Sequence, residues 1–176
     1  EDILLLTYQI GEVAAHLNGV MLHGKLSDQQ IDQLSVSLSS LNFVDDAKKH
    51  VTLSGYADVM MNFMSKNSDF IKMRLPHPWH HPDYGKFIDK IDSIKSSKIR
   101  ESKFVSGVTT DFENQLKDDH WRNWLTSSID FISAMQTIKK EYNSYQLEII
   151  EIGFHPVLDK CCEIFDNYTY VSSMFR

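Results

Sequence analysis

The sequence predicts an all-α fold, an antiparallel multi-helix bundle of about six or seven helices. Apolar residues recur along most of the chain at the 3.6-residue spacing that aligns them on one side of a helix. Strand patterns do not alternate with helical ones, so a doubly wound nucleotide-binding fold is not expected. One segment, residues 74–85, is too rich in proline for a helix. We therefore expect a single helical domain over residues 1–176, with halves at 1–73 and 86–176 joined by this connector.

Three helices are predicted in the first half. The first spans residues 2–24 and ends at Gly24, because glycine commonly terminates helices. The second begins at Ser27, where Gln30 three residues later completes a capping box. The third opens at Asp45 and Asp46, whose charges suit the positive end of a helix dipole. The apolar stripes are Ile3, Leu6, Ile10, Val13, Leu17 and Val20, then Ile31, Leu34, Leu38 and Leu41, then His50, Leu53, Ala57, Met60, Met61 and Met64.

The connector from Arg74 to Gly85 holds three of the chain's four prolines and three of its eight histidines. Proline fixes its own φ, donates no backbone hydrogen bond and drives the preceding residue toward extended geometry. Pro76, Pro78 and Pro82 fall within seven residues. This stretch is therefore predicted to be an extended or turning link that is rigid and rich in aromatic residues.

Apolar spacing predicts four helices in the second half, over residues 86–99, 104–116 and 118–145 and from Pro156 onward. Proline suits the first turn of the last of these. Two interpretations remain open for residues 147–152, which continue the long helix or form a short strand. Residues 168–171 are typical of an extended tail.

Composition excludes several classes of protein. The hydrophobic fraction of 42% suits a chain with a buried core, and the net charge of −6 argues against a general nucleic-acid binder. No apolar run approaches the roughly 18 residues that a membrane span needs. The two cysteines, Cys161 and Cys162, are adjacent and give no disulfide framework. A cytoplasmic location is slightly favoured, while a periplasmic or extracellular one stays open.

The histidines of the connector form the strongest candidate site. His77, His80 and His81 lie within five residues of one another, with Asp83 two positions further on. Neutral imidazole is the commonest protein metal ligand, so this group predicts a possible site for zinc or another divalent metal. Further ligands would have to come from elsewhere, and Asp119 and His120 are candidates. The alternative is a connector whose histidines are solvated.

Other chemistry has little support in the sequence. The stretch from Asp118 to Trp121 has the paired acids and histidine of some metal-dependent phosphohydrolases, but it also suits a helix that begins beside a capping aspartate. No Gly-x-Ser-x-Gly nucleophile motif is present. The cysteines are interpreted as buried apolar groups.

These observations favour a non-enzymatic helical domain that binds another protein, such as an adaptor, an inhibitor or the sensor portion of a larger protein. Trp79, Tyr84 and His80 are the predicted contact surface, since Trp and Tyr are enriched at binding hot spots. The acidic balance suits a basic partner. The alternative is a metal-binding protein, or a metal-dependent enzyme, that uses the connector histidines. No cofactor other than a divalent metal is expected.

Overall fold

The computed structural model describes residues 2–91, 102–153 and 158–172, and these residues form a mixed α/β structure. The helices are α1 (Asp2–Ala14), α2 (Asp28–Asp32), α3 (Ala57–Lys66), a 3₁₀ helix (Pro82–Lys90), α4 (His120–Thr126), α5 (Phe131–Tyr142) and α6 (Asp159–Cys162). The strands are β1 (Gly19–Leu26), β2 (Ser37–Asp45), β3 (Lys48–Tyr56), β4 (Ile71–Lys72), β5 (Phe104–Val105), β6 (Phe112–Glu113), β7 (Ile129–Asp130), β8 (Leu147–Glu151) and β9 (Tyr168–Ser172).

A five-stranded sheet with the strand order β4-β1-β3-β2-β7 organises the first half. Its strands are antiparallel except at one edge, where the short β7 runs parallel to β2. Asp46 and Ala47 join β2 to β3, with φ angles of 47° and 62°. Positive φ at both central residues is the geometry of a two-residue hairpin turn, because it matches the twist of the strands.

Alternation along β1 and β3 separates an apolar face of the sheet from a polar one. Val20, Leu22 and Leu26 of β1 lie with Val51 and Leu53 of β3 in a core that α2 and α3 complete. The residues between them, such as His23 on β1 and Thr52 on β3, point to the opposite face, because successive side chains of a strand alternate. That opposite face forms the floor of the groove described below.

Two further apolar clusters fix the remaining elements. One joins α1, the 3₁₀ helix and α4 around Tyr84, which is fully buried. The other joins α5 and α6 to the two-stranded parallel sheet of β8 and β9. Arg122 of α4 links the first cluster to the end of the 3₁₀ helix, since its Nε donates a 3.0 Å hydrogen bond to the carbonyl oxygen of Ile91.

The prediction of an all-α bundle is wrong, and the first half shows why. The predicted first helix is α1 followed by β1, and Gly24 lies inside that strand beneath the ring of Phe70 rather than at a helix end. The predicted second helix is α2 followed by β2, and the third is β3 followed by α3. In β1 and β3, burial of residues on both faces kept apolar side chains close together along the sequence and imitated helical spacing.

The second half also departs from the predicted helices. Residues 104–116 contain β5 and β6 instead of a helix, and the long helix over 118–145 is divided into α4, β7 and α5. Residues 147–151 adopt the strand alternative, and residues 168–171 are extended as predicted, within β9. Residues 92–99 of one predicted helix, and Pro156 at the predicted start of another, lie outside the described residues.

The connector is confirmed as non-helical over residues 74–81, after which the 3₁₀ helix begins at Pro82. The capping box is confirmed as well, because the Ser27 side chain accepts from the Gln30 backbone and the Gln30 side chain accepts from Ser27 N at 2.9 Å. None of the helices in the described ranges has the length and apolar character that crossing a bilayer requires.

Replacement of Ser27 by alanine should lower the free energy of unfolding by about 1 kcal/mol, because the first turn of α2 loses its capping acceptor. Urea denaturation of the variant and the parent protein measures the difference. Ser65→Ala is a suitable control, since this exposed hydroxyl lies near the end of α3 and donates to the Asn62 carbonyl within the same helix. An unchanged midpoint in Ser27→Ala would show that the cap does not contribute.

Candidate functional site

A groove of about 690 Å³ opens over the polar face of the main sheet, between β1, β2, the connector and the second half of the chain. His80 of the connector and His23 of β1 both line it, in walls that are otherwise mainly apolar or uncharged. The other lining residues are Met21, Ser39, Ser40, Asn42, Phe43, Thr52, Met73, Leu75, Trp79, Trp124, Ile129, Phe131, Leu158 and Cys161.

His80 is held in a defined orientation at this groove. Its Nδ1 lies 2.6 Å from the backbone carbonyl oxygen of Trp124, and its ring meets the Trp124 ring edge to face at 4.6 Å between centroids. A carbonyl only accepts hydrogen bonds, so Nδ1 must carry the proton and donate. The remaining ring nitrogen, Nε2, therefore holds the lone pair. This is the tautomer that a histidine base requires.

The backbone at His80 is unusual, because its φ of 56° lies in the left-handed region. A residue other than glycine pays about 1–3 kcal/mol for such a conformation, which persists only where the surroundings enforce it. The neighbours do so here. Pro78 is packed against Gly19, and the Trp79 carbonyl accepts a 3.0 Å hydrogen bond from the Ser39 hydroxyl on β2. The sheet thus positions the two connector residues that directly precede His80.

Burial keeps His80 in its neutral form. Loss of solvent lowers the pKa of His80 below the ordinary value for histidine, and the hydrogen bond to Trp124 opposes this shift only in part. A neutral imidazole with a fixed tautomer, whose Nε2 has no hydrogen-bond partner among the described residues, is equipped to accept a proton from a substrate or a nucleophile in this groove.

The predicted metal ligands do not come together around one point. His81 is buried and its Nδ1 accepts from Asp83 N at 3.2 Å at the start of the 3₁₀ helix. Asp83 accepts from the Tyr56 hydroxyl at 2.6 Å and pairs with Lys86, and His77 lies edge to face with Trp79. Across the residues that the structure describes, no three His, Cys, Asp or Glu side chains are placed to hold a metal ion.

The residues of the predicted contact surface are less exposed than that prediction requires. Trp79 is half-buried in the groove wall and Tyr84 has no exposed surface, so Tyr84 cannot anchor a partner. His120 is buried at the start of α4, where the Asp119 side chain makes no capping hydrogen bond. A larger concavity of about 730 Å³ lies along the loop of residues 109–119, but it is lined by that single loop and contains no histidine.

Of the hydroxyl and thiol groups that line the groove, two serine hydroxyls donate to other partners and the Cys161 thiol is held in its protonated form. Ser39 donates to the Trp79 carbonyl, and Ser40 donates to Asn42 Oδ1 at 2.9 Å. Burial raises the pKa of the Cys161 thiol to about 11, so it is not a thiolate near neutral pH. Within residues 2–91, 102–153 and 158–172, no serine, threonine or cysteine side chain forms a hydrogen bond with the His80 ring.

Several solved structures have the same architecture as this chain. The acyltransferase domain from the second module of the salinomycin polyketide synthase superimposes with a TM-score of 0.80 at 15% identity, covering 99% of this chain and 44% of that one. The chain shares the acyltransferase fold. The Helicobacter pylori malonyl-CoA:acyl carrier protein transacylase gives a TM-score of 0.71 at 10% identity, covering 94% of this chain and 56% of that one.

The Synechocystis malonyl-CoA:acyl carrier protein transacylase is similar too, with a TM-score of 0.68 at 16% identity, covering 94% of this chain and 60% of that one. The chain thus spans about half the length of these structures. No protein-family model matches its sequence, and no curated protein matches it. At these identities the likeness establishes the fold, and function has to be argued from the groove.

The function predicted from the sequence is corrected by these findings. A non-enzymatic helical interaction domain was inferred from an all-α bundle, whereas the solved structures named above, which share this α/β fold, are acyltransferase domains and transacylases, which are enzymes. The metal-binding alternative is likewise unsupported, because the connector histidines are engaged separately. A basic partner and a cytoplasmic location stay predictions. His23 and Trp124 were missed, since only the fold brings them to His80.

Proposed function

We propose that this chain provides the base-carrying part of an acyltransferase site, which moves acyl groups between thioester carriers, and that His80 is its general base. The observation that carries the proposal is the His80 ring itself, with Nδ1 tied to the Trp124 carbonyl and Nε2 free in the groove. The acyltransferase fold supports it independently.

The chemistry requires a nucleophile within reach of Nε2. We assign that nucleophile, a serine or cysteine, to residues other than those that the structure describes, because none of the described serine and cysteine side chains forms a hydrogen bond with the His80 ring. His80 Nε2 takes the nucleophile's proton while the oxygen or sulfur attacks the thioester carbonyl. The tetrahedral intermediate then expels the carrier thiolate, which takes the proton back from the imidazolium.

The second half-reaction reverses these steps with an acceptor thiol. The acceptor gives its proton to His80 Nε2 and attacks the acyl group, and the first nucleophile leaves and is reprotonated. The burial of His80 suits both directions, because a base whose pKa is below neutrality starts each cycle unprotonated.

Unpartnered apolar surface supports the presence of further polypeptide around this part. Ile150 of β8 and its pairing partner Val171 of β9 expose apolar side chains on one side of the parallel sheet, and Ile152, just after β8, is also exposed. Parallel sheets are nearly always covered on both faces, and pairs of strands are rarely stable alone. Leu4 and Tyr8 of α1 are also exposed. These surfaces suit contact with the segment that carries the nucleophile.

The direct test is acyl transfer by the full-length protein, from a panel of acyl-CoA donors to a thiol acceptor. We expect intact-protein mass spectrometry after donor addition to show one covalently attached acyl group, which disappears when the acceptor thiol is added. If a protein that melts cooperatively shows no acylation and no transfer with any of the donors, the proposal is refuted.

A further inference from the structure

The floor of the groove carries a relay of polar side chains that the proposed reaction does not use. His23 Nε2 on β1 lies 3.3 Å from His50 Nδ1 on β3, and His50 Nε2 lies 3.4 Å from Asp45 Oδ2 at the end of β2. Lys25 pairs with the same carboxylate at 2.5 Å. The Phe43 ring stacks on His50 at 3.9 Å between centroids and holds the relay in place.

This relay fixes the proton positions of both imidazoles. The hydrogen bond from Lys25 keeps the pKa of Asp45 low, so Asp45 is a carboxylate that only accepts. A neutral His50 then carries its proton on Nε2, next to the carboxylate, and accepts at Nδ1, which makes His23 Nε2 a donor. Burial and the neighbouring His50 lower the pKa of His23, so the ring is neutral near pH 7. His23 Nδ1 is left as an acceptor.

A hydrogen-bond donor lies next to this acceptor. Thr52 is paired with His23 across the β1–β3 ladder, and both residues line the groove. Directly opposite residues of an antiparallel pair have Cβ atoms about 4.5–5.5 Å apart. Thr52 Oγ1 accepts from Asn42 Nδ2 at 3.3 Å, so its own hydrogen is available to donate. Among the described residues, neither the Thr52 hydrogen nor His23 Nδ1 has a protein partner.

An acceptor and a donor on neighbouring strands are complementary to a secondary amide, which has one N–H and one C=O. We propose that His23 and Thr52 form an amide-binding subsite on the floor of the groove, with His23 Nδ1 accepting the amide N–H and Thr52 donating to the amide oxygen. The subsite rests on the proposed function, since it would position the acyl thioester against His80. His50 and Asp45 are positioning residues that set the tautomer of His23.

One matched pair of ligands tests the subsite without turnover. S-Ethyl-N-acetylcysteamine carries an amide and a thioether, which cannot transfer an acyl group, and 2-(ethylthio)ethyl acetate replaces the amide N–H with an ester oxygen. Titration of the full-length protein, followed in long-range ¹H–¹⁵N histidine spectra, should give roughly fivefold to tenfold tighter binding of the amide, the value of one net hydrogen bond. The His23 Nδ1 resonance should shift with the amide alone.

Variants then locate the effect. His23→Leu removes the acceptor, so the amide and the ester should then bind with about equal affinity. Thr52→Val should weaken amide binding without a change in side-chain shape. Thr52→Val also covers the case in which His23→Leu does not fold, since it leaves the relay intact. His16→Leu is the matched control, because His16 stacks on Phe87 outside the groove. This control should keep the preference of the parent protein.

The amide has two possible sources, the thiol arm of the thioester or the acyl group itself. Transfer kinetics with two pairs of thioesters separate these sources. In the first pair the thiol arm carries either an amide or an ester. In the second pair the thiol arm is propanethiol and the acyl group is either N-acetylglycyl or acetoxyacetyl. A His23-dependent preference in either pair supports the subsite and names the source. Equal binding of the two thioethers, or a preference for the amide that survives both variants, would overturn the subsite. If the preference for the amide is retained but no turnover occurs, only the proposed acyl transfer is refuted.

Discussion

Replacement of His80 by glutamine should reduce kcat/KM for acyl transfer by roughly 100- to 10,000-fold, the range that a positioned general base contributes. Glutamine can still donate to the Trp124 carbonyl from its side-chain amide, so the connector keeps a contact there. It has no basic nitrogen and cannot take the nucleophile's proton. The loss should appear mainly in kcat, because the groove and its binding contacts remain.

His77→Gln is the matched control for this variant. It makes the same exchange three residues earlier in the same connector, at a histidine that does not line the groove. Its kcat/KM should stay within about twofold of the parent value, since substitutions outside a site rarely alter the chemistry. A similar loss in both variants would indicate damage to the connector and not removal of a base.

The pH profile gives an independent readout of the same residue. His80 must be neutral to act as a base, and burial lowers its pKa below the ordinary 6.5 of histidine. The parent kcat/KM should therefore reach a plateau as the pH rises above the lowered pKa of His80, and fall tenfold for each pH unit below that pKa. The His80→Gln variant should lose this acidic limb. A midpoint above 6.5 would contradict the assignment of His80 as the buried base.

The sequence alone predicts that the connector is not helical, but it does not show that the neighbouring segments are strands. Three prolines prevent a helix whatever the surroundings, and that prediction is confirmed over residues 74–81. Strand β2 shows the opposite case. Its pairing with β3 shifts register between Leu38 and Ser40 and again between Leu41 and Phe43. These irregularities interrupt the two-residue alternation, and the three-residue spacing from Leu38 to Leu41 then imitates a helix.

The candidate site was only partly accessible to sequence reasoning for a related reason. The cluster of connector histidines drew attention to His80, yet nothing in their spacing distinguishes it from His77 or His81. The distinction comes from a left-handed backbone and from a carbonyl 44 residues away, at Trp124. His23 was assigned to a helix, and its relation to His50 and Thr52 exists only in the paired strands.

The connector also depends on a close approach that can be tested by adding one methyl group. A Cβ atom on Gly19 would lie 2.3 Å from the Gly55 carbonyl oxygen and 2.7 Å from Pro78 Cγ. Backbone cannot yield as a flexible side chain does, so Gly19→Ala should lower the free energy of unfolding by about 1–3 kcal/mol. Because Pro78 lies two residues before His80, the same change should displace the base and reduce kcat/KM by tenfold or more.

Gly85→Ala is the control for this substitution, since a Cβ at Gly85 would meet nothing within 4 Å. Its free energy of unfolding should be unchanged or slightly higher, by up to about 1 kcal/mol, because alanine restricts the unfolded chain. Urea denaturation and kcat/KM measured on the same preparations test both effects. If Gly19→Ala lost stability and kept full activity, the sheet would support the connector without positioning His80, and the base would have to be held by the Trp124 carbonyl alone.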